Sequence, residues 1–149
     1  MNLKHMFTMI SVLPLAVACS SSAVMPTPSE MNNALAEITG QDGRTCVRVN
    51  DISGFGTLSD MTLSVSNKFR SHYLMVTMHR CPDVESSTTA AFKGAFTEFC
   101  GRRDSLYTRG GGRCPVQSVY EFENRDAAFA AYDKAKEMIR ASRESADEK

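Results

Sequence analysis

The chain has no tryptophan, so its aromatic bulk rests on eight Phe and four Tyr. It has no excess of either charge, with 17 basic and 17 acidic side chains. That excludes the one-signed field by which a domain gathers nucleic acid or another polyanion. No G-x-S-x-G occurs, so the strained turn that presents a hydrolase serine is absent. No C-x-x-C occurs either, which removes the signatures of a thioredoxin-like redox site and of a zinc ribbon. No apolar run reaches the about 20 residues that a spanning helix needs.

What is present begins with an apolar leader. Lys4 and His5 form a short basic start, and "MFTMISVLPLAVA" then runs from Met6 to Ala18. That length suits a signal-peptide core and not a membrane span, and Pro14 argues against a continuous helix. Residues 1–18 are therefore expected to be a signal peptide. "AVA" before Cys19 fits small-x-small cleavage and plain secretion. The same residues followed by Cys resemble the lipobox of bacterial lipoproteins, with Ala16 where Leu is usual and Leu15 one position further back. The tail "SSSAVMPTPS" is small, polar and Pro-containing, as a flexible tether is. The tether supports lipidation of Cys19 over plain secretion. Acyl chains such as palmitate bind at about 0.8 kcal/mol per buried CH₂, so two or three hold a protein stably. Ser20, a residue other than Asp after the lipidated Cys, points to the periplasmic face of the outer membrane.

Setting Cys19 aside leaves Cys46, Cys81, Cys100 and Cys114. An even count in a small exported domain favours disulfides, in one of three connectivities. Cys81 with Cys100 would close a local loop, and Cys46 with Cys114 would tie the first strand to the last. These are the expected pairs.

Periodicity supplies the elements. Met31, Leu35 and Ile38 predict a short helix over 29–38, capped by Ser29 and ended by Gly40. Residues 19–43 are thus tether and helix. From Thr45 the period becomes two. "TCVRVN" alternates, and "SGFG" marks a bend or bulge around Phe55. "MTLSVS" places Met61, Leu63 and Val65 inward and Thr62, Ser64 and Ser66 in solvent. "HYLMVTM" is apolar on both faces and reads as a central strand stopped at Pro82. In "TTAAFKGAFTEFC", Phe92, Phe96 and Phe99 fit a helix and Phe92, Gly94 and Phe96 a strand. The Thr-rich ends and Gly94 favour strand. "CGRRDS" is a turn, Leu106–Thr108 a strand, "RGGGRCP" a hairpin loop. "VQSVYEF" closes the sheet, with Val116, Tyr120 and Phe122 on one face and Val119 opposite. Residues 44–123 form the β domain. From 124 to 149 the period is helical again: Asn124 caps, Phe129, Tyr132, Ala135 and Ile139 make a stripe, and the helix is expected to fray past Ala141.

The fold class is therefore α+β, mainly β: a small antiparallel, curled or partly closed sheet with a C-terminal helix. "CVRVNDISGFGTLSDMTLSV", "YLMV", "CPDV", "FCGRRDS" and "RCPVQSVYEF" together resemble a family of small proteobacterial lipoproteins defined only as a domain of unknown function. The resemblance covers about Cys46 to Phe122 and the leader. It implies an exported, disulfide-containing, mainly β domain and transfers no catalytic residue. The charged C-terminal helix departs from it, because the shared pattern ends near Phe122.

The chemistry-bearing residues are few. His79 and Cys81 have His-x-Cys spacing, with His72 a strand-length away, but a disulfide at Cys81 would remove the thiolate a metal needs. Asp83 and Glu85 would share a strand face, and after Pro82 they read as solvated charge. Asp51, Asp60 and Asp104 read as turn residues. Arg109 and Arg113 flank three glycines, and weak anion contact is their only candidate role, since a phosphate cradle needs a helix to follow. Met61, Met75 and Met78 read as core filler, not copper ligands. No cofactor, no metal and no nucleic acid is expected, and the chain does not read as an enzyme. The expected function is a non-enzymatic interaction or structural module of the bacterial cell envelope, held to the membrane by its lipid and meeting an envelope protein. The alternative is a periplasmic small-ligand module sited in the mouth of the curled sheet.

Overall fold

The computed structural model describes residues 25–94 and 97–147. The leader, Cys19 and Phe96 lie outside the described residues.

Helix α1 (Pro28–Thr39) starts one residue before the sequence expectation, because Thr27 and not Ser29 is its cap. Thr27 Oγ1 accepts from the Glu30 N–H while Glu30 reaches back to the Thr27 N–H, a reciprocal capping box. Gly40 ends the helix at φ 68°, a left-handed position that glycine takes without a Cβ clash.

The strands are β1 (Cys46–Arg48), β2 (Ile52–Ser59), β3 (Thr62–Asn67), β4 (His72–Thr77), β5 (Ala90–Lys93), β6 (Glu98–Cys100), β7 (Ser105–Thr108) and β8 (Arg113–Phe122). A short helix α2 (Pro82–Ser86) follows β4, and α3 (Arg125–Asp147) follows β8. Six strands form one antiparallel sheet in the order β2-β3-β4-β8-β7-β5. β1 and β6 pair separately as an antiparallel ribbon. The result is the expected α+β, mainly β class, a curled half-barrel with a C-terminal helix. β2 runs through "SGFG" with a register shift between Ile52 and Gly54, the irregularity expected there as a bend or bulge.

Two cores lie on the two faces of the sheet. The concave face holds Leu63, Val65, Met75, Leu106, Val116 and Val119, closed by Val47 and Phe99 of the ribbon and Val84 of α2. The other face holds Leu74, Val76 and Tyr120 beneath α1 and α3, which contribute Met31, Leu35, Ala128, Tyr132, Ala135 and Ile139. Burying side chains of this size is worth about 1.5–3 kcal/mol each.

This two-sided burial corrects the reading of β3. Thr62 and Ser64 are buried, because their cross-strand neighbours Val76 and Leu74 belong to the helix-side core. The phase of β8 is corrected too. Val76 pairs with Ser118 and Thr77 with Val116, so Gln117 is an extra residue in the strand. The bulge flips the alternation, and Val116 joins Val119 on the concave face while Tyr120 faces the helices.

The upper edge of β8 is sealed by residues 41–45. Arg44 bridges to Val119, Val119 N–H donates to the Gly43 carbonyl, and the Gln41 amide exchanges two hydrogen bonds with the Glu121 backbone. The edge strands of the six-stranded sheet are β2 and β5. Asn124 caps α3 as expected, its Oδ1 accepting from Ala127 N–H at 2.9 Å. The helix does not fray at Ala141, because Arg143 is tied to Glu30 of α1.

Candidate functional site

The cysteines come first, since both disulfides differ from the expected pairs. Cys46 is bonded to Cys100, and Cys81 to Cys114. The reason is the ribbon. β6 pairs with β1 and not with the strand before Cys81, which puts Cys46 and Cys100 opposite each other at a Cα separation of 4.1 Å. Cys81 then stands at the N-cap of α2, 6.1 Å by Cα from Cys114 on β8. Closeness in sequence does not choose the partner, because loop closure costs grow only slowly with length. All four cysteines after Cys19 are consumed by these two bonds.

The disulfide at Cys81 removes it as a metal ligand, and the two nearby histidines do not converge. His72 opens β4 and His79 lies past its end, roughly 20 Å away at about 3.3 Å per residue. His79 is exposed and His72 buried. Cys46, Glu98 and Cys100 have ligand atoms within 4.8 Å of one another, but both sulfurs are committed to the disulfide.

His72 anchors a buried polar group with Ser64, a residue that the alternation of β3 alone places in solvent. Its Nε2 is 2.7 Å from Ser64 Oγ, and its Nδ1 is 3.5 Å from Ser66 Oγ. The Phe129 ring of α3 meets the imidazole edge to face, with centroids 5.9 Å apart. Burial, and then the Arg125 charge, hold its pKa below the ordinary 6.5. A serine beside a neutral histidine is the start of nucleophilic chemistry. Here Ser64 is 6% exposed and His72 4%, under α3, so the pair has no face for a substrate. Its role is to satisfy polar atoms under a helix.

Asp83 and Glu85 lie on α2 and not on a strand. Two residues apart on a helix they point to different sides, so they do not act as a pair. Arg109 and Arg113 flank a true hairpin loop: Thr108 N–H donates to the Gly112 carbonyl and Gly111 N–H to the Thr108 carbonyl. β8 follows the loop, so no helix dipole faces it, and Arg113 Nε donates to Ser105 Oγ. Met61 and Met75 are core, whereas Met78 is 49% exposed, which corrects its reading as filler.

Two ion pairs join separate segments, beyond the reach of local sequence pattern. Arg80 holds both carboxylate oxygens of Asp60, at 2.7 and 3.0 Å, and donates to the Pro26 carbonyl. Arg143 holds Glu30 and donates to the Met25 carbonyl. Both therefore fix the place where the described chain begins, beside the C-terminal half of α3.

The concave face that a ligand would enter is packed with Val47, Phe99 and Val84, each 3% exposed or less. On the helix side an open groove of about 440 Å³ lies between the end of α1, Phe122 and the first turns of α3. It is not enclosed by the sheet. No helix among the described residues is long and apolar enough to cross a membrane.

Residues 1–138 match the model of a family described as a family of unknown function (DUF6491). The match extends into α3, so the shared pattern does not end near Phe122. No curated protein and no solved structure matches the chain.

Proposed function

The chain belongs to the family of unknown function DUF6491, and on that premise we propose that it is a lipid-anchored module of the bacterial cell envelope that acts by contact and not by catalysis. The observation that carries the reading is the cysteine count. Four sulfurs are paired inside the fold, and the fifth, Cys19, follows an apolar leader at a lipobox-like position. Two disulfides accord with export to an oxidising compartment. The match to the family begins at residue 1 and so includes the leader and Cys19.

The fold supports an anchor at one end. The described chain enters at Met25, where Arg80 and Arg143 clamp its carbonyl. A tether of about six residues from Cys19 would hold that end within about 20 Å of a bilayer. The surfaces left for an envelope protein are the outer face of α3 and the β2 edge, whose Ser53, Gly54 and Gly56 are exposed. An unpaired strand edge is a ready surface for another chain.

The test is the intact mass of protein extracted from membranes, with and without reduction. A diacylglyceryl group on Cys19 and a gain of two hydrogens per disulfide on reduction are expected. Cys19→Ser should release the protein to the soluble fraction. Wild-type protein that is soluble and carries no lipid refutes the anchor. Cross-linking in intact membranes that yields no reproducible protein adduct refutes action by contact.

A further inference from the structure

The two disulfides sit in opposite environments. Cys81 and Cys114 are 4% and 3% exposed and belong to the concave core, so a thiol cannot approach that bond without opening the fold. Cys46–Cys100 links the short ribbon, which pairs over three residues as a two-stranded sheet of its own and packs on the main sheet through Val47 and Phe99. Within this bond the two sulfurs also differ. Cys46 is exposed, while Cys100 is 5% exposed and faces inward.

The charges around the bond are equally one-sided. Arg103 Nη2 is 3.2 Å from the Cys100 sulfur. Its own partner, Asp104, is 3.7 Å from Arg103 Nε and accepts the Cys100 N–H, so it keeps the guanidinium over the sulfur. The Glu98 carboxylate lies within 4.8 Å of both sulfurs and is exposed. Thiol exchange is fastest when the attacked sulfur is accessible and the departing sulfur's charge is stabilised. Cys46 meets the first condition and Cys100 the second.

We propose that Cys46–Cys100 is a thiol–disulfide exchange site for a partner presenting two thiols. A thiolate of the partner attacks Cys46 Sγ. A new S–S bond forms, the Cys46–Cys100 bond breaks, and Cys100 leaves as a thiolate beside Arg103. The partner's second thiol loses its proton and attacks its own sulfur in the mixed disulfide, releasing Cys46 as a thiolate. The two thiolates of this chain take up two protons. The partner dithiol is thereby oxidised to a disulfide, and this chain is reduced by two electrons. Reduction unlinks β1 from β6 while the second disulfide holds α2 to β8. The ribbon becomes a redox-dependent element on a sheet that stays intact.

The experiment uses the full chain, folded and without denaturant. Dithiothreitol is the dithiol probe, and alkylation followed by peptide mass mapping is the readout. Cys46 and Cys100 should be labelled at least about tenfold faster than Cys81 and Cys114. Joint opening of both bonds, or prior opening of Cys81–Cys114, overturns the proposal. Glutathione should accumulate as a mixed disulfide on Cys46, and a mixed disulfide on Cys100 overturns the assigned polarity. Arg103→Ala should slow opening several-fold, Arg103→Lys should restore most of the rate, and Glu98→Gln should raise it. An Arg103→Ala protein that opens at the wild-type rate removes the guanidinium from the account.

Discussion

Arg143, near the end of α3, closes on Glu30 in the first turn of α1, with guanidinium nitrogens 2.6 and 3.0 Å from the two carboxylate oxygens. The Arg143 guanidinium first, and then the Thr27 N–H, hold the Glu30 pKa down from 4.5 to about 2. One carboxylate thus caps its own helix and fastens a second one.

A pH dependence follows. The folded pKa lies below the unfolded one, so the unfolded chain binds the proton first as pH falls. The contribution of Glu30 is complete above about pH 4.5 and fades as pH drops toward 2. Glu30→Gln should cost about 1 kcal/mol near neutrality, since the pair is still partly in water. That deficit should shrink steadily below pH 4.5 in urea titrations. A deficit that stays constant from pH 6 to pH 2.5 contradicts the assignment.

His72 gives a second dependence in a separate window. Its pKa is lowered by burial and then by Arg125, so the fold holds it neutral. Between its ordinary 6.5 and the lower folded value, the unfolded chain carries more protons, and stability falls as pH falls. Denaturation midpoints at pH 7.5 and 5.5 should therefore drop in the wild type. They should drop less in His72→Gln, which keeps a polar end near Ser64 and does not titrate. Equal slopes in the two proteins would place His72 outside the linkage.

Local pattern carried much of this fold. Alternation marks the strands at β3 and β8, a run apolar on both faces marks β4, and Asn124 with the stripe at Tyr132, Ala135 and Ile139 marks α3. What local pattern lacks is partner identity. Ser64 reads as solvent-facing until α3 is seen to cover His72 beside it. Val116 reads in phase with Tyr120 until the pairing with β4 shows the extra residue at Gln117. The disulfides depended on β6 crossing to β1, a contact more than 50 residues away in the chain. Asp83 and Glu85 changed face because Pro82, which ends a strand, also suits the first turn of a helix. The candidate site was legible in kind, as a set of cysteines, and not in its pairing.

The seam between the ribbon and β8 explains the glycine and aspartate of "FCGRRDS" and makes the last prediction. Gly101 is buried, and a Cβ there would overlap the Gly43 carbonyl oxygen and press on Val119 N at 3.0 Å and Ser118 Cα at 3.1 Å. These are backbone atoms of the contact in which Val119 N–H donates to the Gly43 carbonyl, so none can swing aside. Three residues on, the Asp104 carboxylate accepts the Cys100 N–H at 2.7 Å while 7% exposed. Gly101→Ala should therefore destabilise by about 3 kcal/mol through overpacking. Asp104→Ala should cost about 2 kcal/mol through the lost charged hydrogen bond. Gly110→Ala, in the β7–β8 loop with nothing within 4 Å of its added Cβ, is the control and should change stability by less than about 0.5 kcal/mol. Urea unfolding of the three variants, all with disulfides intact, measures the differences. A Gly101→Ala protein as stable as Gly110→Ala would mean that residues 41–45 do not close the sheet edge as tightly as these contacts require.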